Sequence, residues 1–514
     1  MLVTQEKNYV SIYIKPTIDL TLTLKPSEKG VLALVGWLNW GNPYYGVVLG
    51  GVPSRIKSTN ANIGGSVENE TMYHLKDFFS NYQGKAIVGR IMNTDAKVTV
   101  AKQSKDDDGN VILEDGDEVN VFGADNIRDW DNNASNGAVE ILVTSCISEK
   151  HSIQVENVDD ILTFKLYDEN GNETYKVSGS AYYDALDDNG KSYYIGNKVD
   201  KKIVNIKVDT GNSDYESNFN LVRTYENGNV SSSDDTKNYA NAIKVINNNI
   251  EKCDYCASAG LRDNQTLQDL HAVAFRGKVP MIIDLYGDTK KEAKDMKTQL
   301  NITDSGVQFV WNRGKDKFDF GDQNIGLSGD IVGKCVLRNL SKMVDDVEFR
   351  VEGTAGEDYP LPRVKADELD ILEDDDLTYL ADNRINTVGY INDVLCIMDI
   401  LSANPKNVAT KLFPVADGNL FINKYIARIL QTKIFKNMNE AKAFVDNKVG
   451  KLFEKAYRNG YFNKDVDTPY DYVVSKKDGD TIVVNYQYVF SGVMRKGEIQ
   501  GMIVSDSAEI KINN

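Results

Sequence analysis

The residues of this chain that could carry chemistry are few and scattered. Cys253 and Cys256 form one CxxC pair, the spacing used by zinc sites and redox dithiols. A zinc site needs a second pair, but Cys146, Cys335 and Cys396 stand alone and His271 is an isolated candidate. The pair therefore reads as buried, reduced thiols at the end of a helix. With only His74, His151 and His271 present, a nucleophile–His–acid triad has few options, and neither a GxSxG elbow nor an HExxH helix occurs. Gly190-Lys191-Ser192 has the ending of a phosphate-binding P-loop, yet Ala185 stands where its first glycine belongs. Calcium loops need carboxylates at alternate positions before a glycine. Asp106-Asp107-Asp108-Gly109 and Asp187-Asp188-Asn189-Gly190 put Ser104 and Ala185 at the first ligand position, so both read as acidic turns. Glu373-Asp374-Asp375-Asp376 precedes a helix-like stretch, where carboxylates serve as caps. No catalytic, cofactor-binding or metal residue is assigned, and the chain reads as a non-enzyme.

The elements that would position any site come next. A chain of 514 residues is too long for one core and predicts two to four domains. Hydrophobic residues make up 41%, enough for globular folding. No stretch approaches the roughly 20 apolar residues of a membrane span; the best, Gly30 to Trp40, is short and broken by Gly36 and Asn39. The start MLVTQEKNYV lacks a basic and then apolar leader, which predicts a protein made in a cytoplasm. A net charge of −17 argues against direct nucleic-acid binding, because phosphates call for a basic surface.

The charge is uneven. Residues 101–235 hold 28 acidic and 12 basic residues, a net of −16. Their turn pairs, Asp108-Gly109, Asn170-Gly171, Asn189-Gly190 and Asn227-Gly228, favour positive φ in tight hairpins. Between them lie strand-like runs, Ile161 to Tyr167 and Lys202 to Val208. Mixed helix and strand patterns flank this β-rich unit. Asn69 to Tyr82 reads as a helix and Ala86 to Ile91 as a buried strand. Thr236 to Asn247 and Thr266 to Phe275 read as helices, with Thr266 as a cap, and Val279 to Leu285 as a strand. Thr289 to Glu292 has capping-box spacing. The acidic unit thus reads as an insertion into one α/β domain.

Near the end, Ile422, Ile426 and Ile429 mark one amphipathic helix, and Phe444, Leu452, Ala456 and Tyr457 a second that stops at Gly460. Residues 420–464 carry 10 basic and 3 acidic residues, a net of +7. Thr481 to Phe490, Glu498 to Val504 and Ala508 to Ile512 read as strands. At the other terminus Val10, Ile12 and Ile14 alternate with other residues, then Ile18, Leu20, Leu22 and Leu24 do the same.

This order of elements resembles the contractile tail sheath family of myophages, shared with R-type tailocins and related injection systems. The resemblance rests on Gly50-Gly51-Val52-Pro53 with Ile63-Gly64-Gly65, on Phe78-Phe79, Gly84 and Ala86 to Ile91 with Arg90, and on Cys253 to Gly260 with Val279 to Leu285. Phe309-Val310-Trp311, Ser328 to Gly333, and Leu377 to Val388 with Asn383 and Asn386 continue it. It covers about 26–100 and 236–514, not the insertion. It implies an α+β fold, with a mixed α/β core (26–100 and 236–365), an outward acidic β-rich insertion (101–235) and a tube-facing C-terminal domain (366–505). The domain of two helices plus a sheet would be completed by exchanged arms, 1–25 and 506–514.

The resemblance further implies a subunit that self-assembles as a helical tube of stacked rings around an inner tail tube and contracts to drive it through a host envelope. Val10, Ile12, Ile14, Ile510 and Ile512 would be the buried positions of exchanged strands. Lys424, Arg428, Lys448 and Lys451 would face an acidic tube. The implied partners are further copies, the tube protein, and baseplate and tail terminator proteins, without cofactor, nucleic acid or membrane insertion. The implied location is the virion tail, assembled in the host cytoplasm. A tailocin or injection-system sheath fits equally. A different reading is a receptor- or glycan-binding protein using Tyr182, Tyr183, Tyr193 and Tyr194 as a platform.

Overall fold

The computed structural model describes residues 30–50, 70–82, 84–132, 135, 137–314, 324–341, 350, 352–364, 369, 372–406 and 410–491. The two arms, with Val10, Ile12, Ile14, Ile510 and Ile512, lie outside the described residues, as do the strand expected at Glu498 to Val504 and the segment Gly51 to Gly65. The first elements are β1 (Val31–Trp37), β2 (Val47–Gly50), α1 (Glu70–Asn81) and β3 (Lys85–Ile91). A run of strands follows: β4 (Lys97–Lys105), β5 (Val111–Asn120), β6 (Val139–Leu142), β7 (His151–Val158), β8 (Ile161–Tyr167), β9 (Glu173–Ser180), β10 (Asn205–Val208), β11 (Asn218–Tyr225) and β12 (Val230–Ser231). Helices and strands then alternate through α2 (Tyr239–Asn249), β13 (Tyr255–Ala257), α3 (Asn264–Arg276), β14 (Met281–Leu285), α4 (Lys290–Leu300), β15 (Val307–Trp311), α5 (Ser328–Ser341), α6 (Asp374–Asp382), β16 (Asn386–Ile391) and β17 (Val394–Ile397). The last elements are α7 (Phe413–Gln431), α8 (Met438–Arg458), β18 (Tyr470–Lys477) and β19 (Thr481–Tyr488).

One sheet runs β17-β16-β15-β14-β13-β1-β3-β2. Its inner strands are parallel, and β2 and β17 are antiparallel at its edges. Parallel strands covered on both faces must be apolar on both. Leu32 and Leu34 of β1 accordingly meet Met72, Leu75 and Phe78 of α1 and Ile331 and Cys335 of α5. Val31, Ala33 and Val35 meet Ala242 and Ile246 of α2 and Leu267 and Leu270 of α3 on the other face. The result is a doubly wound, three-layer core.

The helix starts follow local chemistry. The Asp263 carboxylate accepts from Thr266 N–H and Oγ1, so Asp263 caps α3, and Thr266, expected as the cap, sits inside the first turn. Thr289 and Glu292 form the complete capping box of α4. The helix expected from Thr236 begins at Tyr239, capped by Asn238. The strand expected from Lys202 begins at Asn205, because Asp200 O accepts from Ile203 and Val204 N–H in a turn.

Strands β4 to β12 form two sheets, β10-β6-β4-β12 with β5 on β4, and β11-β7-β8-β9. Ile153, Val155, Leu162, Phe164 and Ile206 lie in the core between them. Asp106, Asp168 and Asp187 each accept backbone N–H groups two and four residues ahead, and Gly109, Gly171 and Gly190 supply the positive φ that closes each loop. The acidic turns read from the sequence are thus held by their own aspartates. The chain enters and leaves this unit through a paired neck. Thr94 N–H donates to Thr236 O, Asn238 N–H to Met92 O, and Asn93 bridges Lys237. Arg90 fastens the same junction from inside: its guanidinium donates to the carbonyls of Leu38, Gly41, Ser145 and Cys146 at 2.7 to 3.0 Å.

Candidate functional site

Doubly wound sheets bind ligands in the crevice beyond the carboxyl ends of their strands, where the strand order reverses. Here that point lies beside β1 and β13, and the chain's own side chains fill it. Asp284 of β14 accepts from Leu327 N–H at 2.6 Å, Ser328 N–H at 2.9 Å and Ser258 Oγ at 2.7 Å, placing a carboxylate at the start of α5. Glu70 of α1 accepts from Tyr286 Oη at 2.8 Å, Gly326 N–H at 3.0 Å and Arg262 at 2.9 Å. Burial works against its charge, but His74, the Gly326 N–H and Arg262 outweigh that and hold it at about 2.

Ser328, His74 and Asp284 are residue types of a catalytic triad. Their bonding is not that of one. Ser328 Oγ lies 2.5 Å from Asp284 and 3.4 Å from His74 Nδ1, which also accepts the Gly329 N–H at 3.1 Å, so the shorter contact draws the serine proton to the carboxylate rather than to the imidazole. All three are buried, and what they hold is the first turn of α5. The sequence alone gives none of the three a role, since Asp284 and Ser328 stand inside longer apolar or helical stretches and His74 is one of three scattered histidines. Of the CxxC pair, Cys253 closes the turn after α2 and Cys256 lies in β13; both are buried, and burial pushes the Cys253 thiol up to about 12.

A second buried cluster joins the sheet to the C-terminal helices. Asp417 of α7 accepts from Tyr255 Oη at 2.6 Å, Arg338 at 2.8 Å and Arg350 at 2.5 Å. Asn339 donates to Tyr255 Oη at 2.8 Å, and the Arg350 guanidinium lies 5.0 Å from the Tyr255 ring and 4.8 Å from that of Phe421. One residue on, Gly418 packs so closely that a Cβ would lie 1.7 Å from Tyr461 Oη.

The four basic residues expected on one tube-facing surface divide into two sets. Lys424 and Arg428 turn inward, Lys424 Nζ to Cys253 O and Arg428 to Glu251 O, because α7 lies beneath the sheet. Burial brings Lys424 down to about 8. Lys448 and Lys451 of α8 are exposed. The tyrosines divide as well: Tyr182 and Tyr183 are exposed, Lys198 covers the Tyr193 ring at 4.1 Å, and Tyr194 is buried with its oxygen accepting from Val208 N–H.

The sheet of β18 and β19, absent from the sequence reading as a pair, contains only those two strands among the described residues. Tyr472, Val474, Val484 and Tyr486 pack one face onto Val445, Val449 and Phe453 of α8. The outer edge of each strand carries ladder groups with no strand partner among the described residues. Lone two-stranded sheets are marginal in water, and such edges accept added strands.

No family model matches the sequence, and no curated protein matches it. Solved structures do. The PVC sheath complex of an extracellular contractile injection system, in the contracted state, aligns with a TM-score of 0.50 at 10% identity, over 97% of this chain and 98% of that one. The fold is that of a contractile sheath subunit. A chain of the anti-feeding prophage baseplate aligns at 0.49 and 10% identity over 98% of this chain and all of that one. A sheath tail protein from Desulfitobacterium hafniense aligns at 0.48 and 11% identity over 93% and 100%. In this sheath fold the reversal-point crevice is occupied by Glu70, His74 and Asp284, and the free sheet edges lie at the C-terminal end of the described chain.

Proposed function

We propose that the chain is the structural subunit of a contractile sheath, assembling as a helical tube around an inner tube and contracting to drive it forward, and that it catalyses nothing. The observation that carries this is the β18–β19 sheet, two-stranded among the described residues, within a sheath fold. Strands bearing Val10, Ile12 and Ile14, and Ile510 and Ile512, from neighbouring copies complete that sheet in our reading. Backbone ladders tie copies together while their arms bend, so the lattice stays linked as it shortens. Lys448 and Lys451 face an acidic tube through weak, wet ion pairs that release on contraction. The −16 unit lies outward and keeps the particle soluble. The extended state is the metastable one, so contraction draws on energy stored at assembly. Baseplate and terminator proteins cap the two ends. A phage tail, a tailocin and an injection system would use this subunit alike.

Negative-stain microscopy of the concentrated, purified chain tests the reading. Hollow tubes of uniform width, lost on deleting residues 1–15, are the expected result. A monomer that stays monomeric when concentrated and mixed with a tail tube overturns it.

A further inference from the structure

Phe435, at the tip between α7 and α8, is 76% exposed and has a left-handed backbone, φ +62°. A bulky side chain in that region is strained. Lys436 follows it, and the Lys433 ammonium lies 4.0 Å from the Phe444 ring of α8. This is an aromatic knob with one exposed lysine beside it.

A cleft lies on the α1 and α5 face of the sheet. Its cavity of about 240 Å³ is lined by Leu337, Tyr359, Pro360 and Pro362 and by exposed Asp358, while Asp77 pairs with Arg363 and Asp330 with Lys334 along the same wall. Pockets for small molecules run about 300–1,000 Å³, so this one suits a single side chain. Leu337 is 47% exposed, and Asp358 and Pro360 are exposed.

The path of α7 keeps the knob from its own cleft. Phe413 starts the helix in the α1 and α5 layer. Asp417 bonds Arg338 of α5, Lys424 reaches Cys253 O beneath β13, and Arg428 reaches Glu251 O, just past α2 in the opposite layer. Its 19 residues span about 28 Å. The knob therefore emerges on the face opposite the cleft. Knob and cleft on opposite faces of one chain form a head-to-tail contact, which generates rings or helices.

We infer that Phe435 of one copy seats in the Leu337–Pro360–Pro362 cleft of the next, with Lys436 against Asp358. This rests on the sheath reading for the presence of neighbouring copies, but not on the strand exchange. Sedimentation velocity on the full chain across a concentration series tests it. Phe435→Gly removes the ring and relieves the left-handed strain. It is expected to match or exceed the parent in Tm while raising the concentration needed for assembly at least about tenfold, the effect of losing one buried aromatic anchor. Lys436→Asp and Asp358→Lys are each expected to weaken assembly, and the double reversal to restore it. Assembly by Phe435→Gly at the parental concentration, or a double reversal no better than the singles, overturns the contact and leaves the sheath reading standing. A parent that never associates, even when concentrated and mixed with a tail tube, overturns both.

Discussion

The Tyr255 hydroxyl donates to Asp417 Oδ2 at 2.6 Å, joining the middle of the parallel sheet to a helix 162 positions later. Arg338 and Arg350 share the same carboxylate. Removing that carboxylate leaves guanidinium groups buried beside each other. Asp417→Ala is expected to cost about 3–5 kcal/mol, and Tyr255→Phe only about 1–3 kcal/mol, because it takes one donor from Asp417 and one acceptor from Asn339 but leaves both cations paired with the carboxylate. Urea denaturation of the two variants checks the ranking.

Gly418 offers a test of packing against propensity. Glycine to alanine inside a helix ordinarily gains about 1 kcal/mol. Here a Cβ would lie 1.7 Å from Tyr461 Oη, and overpacking costs about 1–3 kcal/mol. Gly418→Ala is expected to lower Tm, and Tyr461→Phe in the same chain to recover part of the loss. Thermal melts of the single and double variants read this directly.

Glu70 sets an acid limit. Its proton binds less readily in the folded chain, at about 2, than at the ordinary 4.5. Its contribution is therefore whole above pH 4.5 and is lost as the pH falls toward 2. The difference corresponds to about 3 kcal/mol. Glu70→Gln is expected to flatten stability across that window while lowering it at neutral pH, as followed by denaturation at stepped pH.

Lys424 acts with the opposite sense in alkali. Burial holds it at about 8 against an ordinary 10.5, so the unfolded chain binds its proton more readily between those values. Stability should rise with pH across that interval, and Lys424→Met should remove the rise. Denaturation at pH 7.5 and 10.5 compares them.

Arg90 should govern how firmly the acidic unit is held. Arg90→Met strands buried carbonyls of Leu38, Gly41 and Cys146, each worth about 1–3 kcal/mol when unsatisfied. Faster hydrogen exchange at residues 145–148 than in β14 is the expected signature.

Local rules were legible in the sequence where local chemistry decides. The Thr289–Glu292 box, the Asp-Gly and Asn-Gly turns, strand β8 and the stop at Gly460 follow from a few neighbouring residues. So did the buried strand at Val279 to Leu285, seen as Met281–Leu285, because a short apolar run between turns reads as a covered strand, whereas the layering on its two faces depends on distant helices. The buried clusters were not legible. Asp284, Ser328 and His74 are 44 to 254 positions apart where they bond, and nothing in their immediate surroundings marks them. Lys424 and Lys448 look alike in sequence; only the course of α7 beneath β13 turns one inward. Strand β18 was missed because a Tyr-Asp-Tyr-Val-Val run, half covered by one helix, carries only a weak alternation.

The paired neck has a practical consequence. Asn93 and Lys237 are bridge partners, so the core meets its excursion of more than a hundred residues as though it were a hairpin. A foreign domain whose two ends lie about 5 Å apart, the spacing of paired strands, could be spliced between them provided it offers the Arg90 guanidinium of β3 the acceptors that Ser145 and Cys146 now supply. That makes the junction a grafting port: one cargo per subunit, repeated at every position of whatever lattice the subunit builds.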